Sequence, residues 1–532
     1  MKPLASILFL LCVLCASARA QSPQTYFIDY TNGADSNNGL STNAPWKHHP
    51  YMPVPGDAFT GSYTHQAGDR FIFRGGVVWP YTCFNTNDPG SPHATFVNGM
   101  ALQAGGSPTA WDYYGVQSNW FVRTSFTRPV FDGGYIASTL IYVDSVHNGA
   151  SNLVFDCLEL RHVNCINSVN CGLFYRYCAL NVVLSNSWLH GWTLTNSYVA
   201  NPYNVNMTNS VDGAHGGDIG NYNGSVPWDN TGVVCDHVEI ENSEQYNANG
   251  TGNGVCQCEA GTDNYCSIHD NSTALINVFS LIHCTMSNIA YPYSAWDQNY
   301  HLNGWGDTGV SLVSGQPDYC INNIFHDIGC NVIFPAVCAN VSGPPIYIYN
   351  NLVYNNFGLQ GAIDIDIDSG TGLQGSVYVY NNTIVVPDSI TNHGNVYQGW
   401  SIGYLHRVGD QINNFFISNN FIISTYTTSP ILTPGASTWI ANEVEGNNLI
   451  LTTNVANADG YNVANGYAPT SSSSPTVGAG ANLTSLGLFN ADIVGKTLPA
   501  SGAWDAGAYL YTAGSQFGYG GTNFHGLFLR RP

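Results

Sequence analysis

Apolar and polar residues alternate along short stretches of this chain, and many stretches run into a pair of asparagines before the alternation resumes. The pattern recurs at Ile321-Asn322-Asn323-Ile324-Phe325, Tyr349-Asn350-Asn351-Leu352-Val353, Tyr380-Asn381-Asn382-Thr383-Ile384, Ser418-Asn419-Asn420-Phe421-Ile422 and Asn447-Asn448-Leu449-Ile450. Steps of 28, 31, 38 and 28 residues separate the second asparagines. Weaker copies precede them at Asp156-Cys157-Leu158, Asn186-Ser187-Trp188, Asp236-His237-Val238 and His283-Cys284-Thr285. Strand-type alternation at this period, without helical periodicity, predicts a β-solenoid with about three short strands per coil. Stacked coils bring equivalent residues within about 4.8 Å of one another. An asparagine at one turn then pairs its amide with those above and below, so the pattern predicts an asparagine ladder. Variable steps place the variation in loops. The intervals of 50 residues from Ser187 to His237 and 47 from His237 to Cys284 read as long insertions, and loops on one face are where a solenoid builds a binding surface.

Composition supports an all-β chain. Gly 57 and Pro 25 punctuate 532 residues, while a hydrophobic fraction of 44% and an aromatic fraction of 13% suffice for a large core. Only 9% of residues are charged and the formal net charge is −21, which excludes nucleic acid as a partner, because that needs clustered basic side chains. Residues 1–20 read as a secretory signal: Lys2, an apolar run from Leu8 to Leu14, and Ala18-Arg19-Ala20 as the cleavage pattern. No later stretch is long and apolar enough to predict membrane insertion. Removing Cys12 and Cys15 leaves 13 of the 15 cysteines, an odd number that cannot all pair internally. Cys256-Gln257-Cys258, followed by Cys266, reads as structural disulfide or buried thiol rather than metal site, since no second pair of zinc-finger type accompanies it.

The opening Tyr26-Phe27-Ile28-Asp29-Tyr30 with Asn32-Gly33-Ala34-Asp35-Ser36-Asn37-Asn38-Gly39, then Gly68-Asp69-Arg70-Phe71-Ile72-Phe73-Arg74-Gly75-Gly76, and late in the chain Ser474-Pro475-Thr476-Val477-Gly478-Ala479-Gly480 and Asp505-Ala506-Gly507-Ala508-Tyr509 carry a resemblance. The chain resembles secreted proteins of the pectate-lyase-like superfamily. That resemblance implies a right-handed parallel β-helix with terminal caps. It also implies a carbohydrate-related role without naming one, because the architecture hosts lyases, hydrolases, epimerases and adhesins. The expected organisation is an entry region and N-terminal cap over 21–130, coils over 131–455, and a C-terminal linker and cap over 456–532.

In this fold class the strand set between successive Asn-bearing strands often lines a groove. The sharpest candidate there is Ile363-Asp364-Ile365-Asp366-Ile367-Asp368. Period-two geometry sends the isoleucines to one face and the aspartates to the other, with alternate residues about 6.5 Å apart. That spacing leaves room for water between an acid and a base in an inverting glycosidase. Asp364 and Asp366 are the expected catalytic pair, and Arg407 the expected substrate clamp. No cofactor is required, but the same row could hold Ca²⁺ through Asp368, since calcium takes several hard oxygen ligands. Substrate-binding candidates are His215, Asp218, Glu259, Trp296, Trp305 and His406, the tryptophans for stacking on sugar rings. The catalytic signatures of polygalacturonases and classical pectate lyases are absent. After signal removal only Lys47 and Lys496 remain as lysines, both outside the central coils, which argues against a lysine-based lyase. The expected function is a secreted, carbohydrate-active polysaccharide hydrolase. The alternatives are a calcium-assisted lyase and a non-catalytic glycan-binding adhesin.

Overall fold

The computed structural model describes residues 22–52, 57–84, 99–145, 148–166, 172–177, 180–195, 217–222, 233–241, 256–257, 260–271, 274–289, 308–313, 318–328, 331–336, 345–356, 362–367, 373–386, 390–392, 395–397, 401–406, 411–424, 440–488 and 490–513.

Each coil turns at the ladder motif, and its two asparagines do different work. The first adopts a left-handed backbone, with φ of 57° at Asn322 and Asn350, 50° at Asn381, 60° at Asn419 and 56° at Asn447. Asparagine tolerates that conformation better than other residues with a side chain, apart from aspartate. The second points inward. Asn323, Asn351 and Asn382 each donate from Nδ2 to Oδ1 of the next ladder residue, at 3.0, 2.9 and 3.0 Å, and Asn420 does the same to Asn448 at 3.0 Å. The remaining amide proton goes to a backbone carbonyl, as from Asn351 to Cys320 at 2.8 Å and from Asn382 to Ile348 at 3.0 Å. The ladder is therefore saturated, as buried amides require.

This turn joins two parallel sheets. The first runs from Thr25–Ile28 to Ile440–Gly446 and the second, of twelve strands among the described residues, from Val78–Trp79 to Leu449–Leu451. A third strand set begins with Met100–Ala101, Thr139–Asp144, Gly172–Tyr177 and Gly217–Tyr222 and reappears at Thr308–Val313, Asn331–Ala336, Ile363–Ile367 and Ile402–His406. Pairing between coils is parallel and in register, so like side chains stack. Phe71, Tyr114 and Phe155 form an internal column with centroids 4.9 Å apart, and the half-buried Tyr319, Tyr347, Tyr378 and Phe416 a column on the outer face at 5.4, 5.0 and 4.9 Å. The chain is thus a parallel β-helix with an asparagine ladder.

One sequence expectation is corrected here. The interval from His237 to Cys284 is not a simple insertion but holds a complete extra turn at Tyr265-Cys266. Tyr265 takes the left-handed position, with φ 52°, and stacks between His237 and His283 at 5.0 and 4.8 Å. Cys266 takes the ladder position, its backbone N–H donating to Cys284 Sγ at 3.3 Å. Thiols replace amides in this part of the column. Among the described residues Cys83, Cys157, Cys266, Cys284 and Cys320 are free thiols.

The last strand of the first sheet breaks the apolar column. Glu443 and Glu445 stand in register with the buried Phe415 and Ile417, and inward charge of this kind discourages further strand addition. After the short helix Thr453–Ala458, the chain doubles back along the asparagine turns. Asn350 Nδ2 donates to Ala491 O at 2.8 Å, and Asn419 exchanges two 2.8 Å bonds with the backbone of Ala481. Gly507, at φ 93°, comes so close that an added Cβ would lie 2.8 Å from that of Phe421. No helix among the described residues is long and apolar enough to cross a membrane.

Candidate functional site

Of the residues singled out in the sequence, Asp364 and Asp366 lie on the strand Ile363–Ile367, between Asn331–Ala336 and Ile402–His406. Asp364 is opposite Gly403, Asp366 opposite Ala336 and Leu405, and His406 opposite Ile367. The two aspartates take the positions that alternate with Ile363, which is fully buried, as is its register partner Ile402. Asp218 belongs to the strand Gly217–Tyr222. Asp368, Arg407, His215, Glu259, Trp296 and Trp305 lie outside the described residues.

The described residues hold a second concentration of chemistry, on the outer face of the second sheet. There the residue after each ladder position and the residue two further on flank a buried apolar side chain: Leu160, Leu189, Ile240 and Ile268 in successive coils. Register aligns Glu159, Trp188, Glu239 and Ser267 in one column and Arg161, His190, Glu241 and His269 in the next. Arg161 bridges Asp132 through Nε at 2.8 Å and Glu159 through a terminal nitrogen at 2.9 Å. His190 lies 3.3 Å from Glu159 and stacks on Trp188 with centroids 4.2 Å apart. Trp188 Nε1 donates to Glu241 at 3.1 Å. His269 reaches Glu239 through Nε2 at 3.3 Å and Asp270 through Nδ1 at 2.7 Å, and the other Asp270 oxygen accepts from the amide of Asn288. At the N-terminal end Tyr135, 46% exposed, stacks on His162 at 4.7 Å.

Charge is balanced locally along this row. Burial alone would raise the Glu159 carboxyl, but hydrogen bonds from His190 and Arg161 and their charge hold it below its ordinary value. Asp132 is lowered in the same way, its burial outweighed by the Gly134 N–H and by Arg161. Burial would lower the His269 imidazole, yet hydrogen bonds to Glu239 and Asp270 and the nearby charges bring it up to about 9. The row therefore offers fixed donors and acceptors on a rigid sheet, flanked by aromatic rings, a combination suited to a polyhydroxylated ligand.

Among the described residues two groups have donor sets that could hold a metal ion: Glu239, Glu241 and His269, and His48, Asp57 and Cys83. In the second, both imidazole nitrogens of His48 are already on carboxylates, Asp35 at 2.8 Å and Asp57 at 3.0 Å, and Asp57 also accepts from Thr82 and Tyr30. That network ties the N-terminal cap together.

The sequence did carry a signal for the row on the second sheet. Glu159-Leu160-Arg161, Trp188-Leu189-His190, Glu239-Ile240-Glu241 and Ser267-Ile268-His269 each follow a ladder residue directly. Aligning the chain on its turns brings them together.

No protein-family model matches the chain, and no curated protein matches it. Among solved structures the chain is similar to pectate lyase Pel9A, at 15% identity over 92% of this chain and 97% of that one, with a TM-score of 0.45. It is also similar to a GH136 lacto-N-biosidase from Eubacterium ramulus, at 9% identity over 84% and 71% of the two chains, TM-score 0.38. A rhamnogalacturonan lyase aligns at 14% identity over 80% and 87%, TM-score 0.33. The architecture read from strand register, parallel sheets joined at an asparagine-bearing turn, is a parallel β-helix.

Proposed function

We propose that this protein is secreted, binds an extended polysaccharide along the flank of its β-helix and hydrolyses it, with Asp364 and Asp366 as acid and base. The observation that carries this reading is the register of Ile363–Ile367 inside the parallel stack, paired on both sides. With Ile363 buried, period-two alternation assigns the aspartates to the opposite face, about 6.5 Å apart along the strand. That separation is at the lower edge of the inverting range of about 6.5–9.5 Å between carboxyl groups. Arg407 serves as clamp, His406 and Asp218 as substrate contacts, and Asp368 as the ligand of a calcium ion that would orient an acidic sugar. The remaining contacts in this reading are His215, Glu259, Trp296 and Trp305.

The Glu239 and Glu241 pair has the same spacing but is committed elsewhere. Its oxygens hold His269 and Trp188, so this row fits substrate positioning rather than proton transfer.

The test is a glycan panel on purified protein, following reducing ends and the absorbance of unsaturated uronides in parallel. Reducing ends without that absorbance, lost in Asp366→Asn with the fold intact, are expected. Full activity in Asp366→Asn removes the aspartates from the mechanism, an absorbing product replaces hydrolysis by elimination, and binding without either product makes the protein an adhesin.

A further inference from the structure

Glu239, Glu241 and His269 come from two adjacent strands of the second sheet, and one donor atom of each lies within 4.8 Å of the others. Their geometry differs from that of a solvated acidic patch in three respects. His269 Nε2 and Glu239 Oε1 are 3.3 Å apart, and two atoms each about 2.1 Å from a tetrahedral zinc ion would be about 3.4 Å apart. Nδ1 of the same imidazole faces the Asp270 carboxylate at 2.7 Å, and Asn288 anchors that carboxylate through its other oxygen. A histidine that ligates a metal through one nitrogen characteristically gives its other N–H to a carboxylate, which fixes both tautomer and ring plane. Finally, Trp188 Nε1 holds Glu241 Oε1, while Glu241 Oε2 lies 3.7 Å from Nδ1 of the imidazole, so a metal ion on Nε2 would draw this carboxylate around the ring edge.

We propose that Glu239, Glu241 and His269 form a binding site for a divalent ion of the zinc class, with Asp270 and Asn288 as its outer support and a coordination position left for water or a substrate oxygen. An imidazole with two carboxylates selects for such an ion over calcium, which takes oxygen ligands only. The site stands apart from the Asp364 and Asp366 row, and its test is independent of whether the protein hydrolyses anything.

The structure supplies an internal control. His326 repeats the supporting device, with Asp327 at 2.7 Å and Asn355 bonded to that aspartate. In register beside His326 are Ser287 and Tyr354 instead of a carboxylate pair.

The experiment titrates untagged, chelator-treated full-length protein with Zn²⁺ by calorimetry, with Ca²⁺ in parallel and circular dichroism to verify each variant's fold. One Zn²⁺ per chain is expected. Affinity should fall at least about tenfold in Glu241→Gln and His269→Ala, and about 10–100-fold in Asp270→Asn, as for loss of an outer carboxylate, while His326→Ala binds as the parent does. Glu239→Gln, which keeps the side-chain shape, provides a second ligand variant if another fails to fold. Absence of saturable Zn²⁺ binding, or equal binding by parent, Glu241→Gln and His269→Ala, overturns the proposal and leaves the cluster a set of ion pairs.

Discussion

Asn351 donates its side-chain N–H to Asn382 Oδ1 at 2.9 Å, and its own backbone N–H reaches the same oxygen at 3.0 Å. One buried carbonyl oxygen thus satisfies both the side chain and the bent main chain of the preceding coil. Asn382→Ala removes that acceptor for two donors of Asn351 and one of the donors to the Ile348 carbonyl. At about 1–3 kcal/mol for each buried group left unsatisfied, the expected loss is about 3–5 kcal/mol, read by chemical denaturation. A loss below about 1 kcal/mol would mean that water replaces the ladder there.

The C-terminal segment is held to the turns by polar contacts and by its own small core. Trp504 is 1% exposed, and its indole donates to Pro499 O at 2.8 Å. Trp504→Ala should cost this segment about 3–5 kcal/mol and release it locally before the coils unfold. Hydrogen exchange at the Gly507 N–H, bonded to Asn419 O at 2.7 Å, should accelerate while the ladder amides stay protected. Equal acceleration in both would show one cooperative unit instead.

Glu445, exposed at the end of the stack, is pushed up to about 7 by partial desolvation against the coil beneath and then by its hydrogen bond and repulsion with Glu443. From the ordinary value of 4.5 up to about 7, the folded state binds more protons than the unfolded one. Stability therefore falls as pH rises through that window and stays low above it. Glu445→Gln should flatten this part of the melting-temperature profile and raise the midpoint above pH 7, with little change below pH 4.5. An unchanged slope would place the pH dependence elsewhere.

Tyr135 combines an exposed ring on His162 with a left-handed φ of 57°. Tyr135→Gly and Tyr135→Ala both delete the ring, but only glycine relieves the backbone, so the glycine variant should be more stable by about 1 kcal/mol. Both should weaken binding to a polysaccharide in affinity electrophoresis to the same extent. Undiminished binding in the pair would show that the ring serves only to cover His162.

The ladder was legible because each of its turns is written in two adjacent residues, one for the left-handed backbone and one for the internal amide. Where thiols took over the column the signal faded. Tyr265-Cys266 passed for part of an insertion because a tyrosine at positive φ, steadied by stacked histidines, has no local signature. The row on the second sheet was hidden for a different reason: Glu159, His190, Glu241 and His269 become neighbours only once intervening loops of unequal length are set aside.

Alternation and turn chemistry act between residues next to each other in the chain, so the sequence alone determined the parallel β-helix and most of its ladder. Contacts across coils depend on register summed over every intervening loop. Only the tertiary structure could decide that Asp270 orients His269 beside two glutamates, that Arg161 ties Asp132 to Glu159, and that residues near 481–507 return to close the turns at Asn350, Asn381 and Asn419.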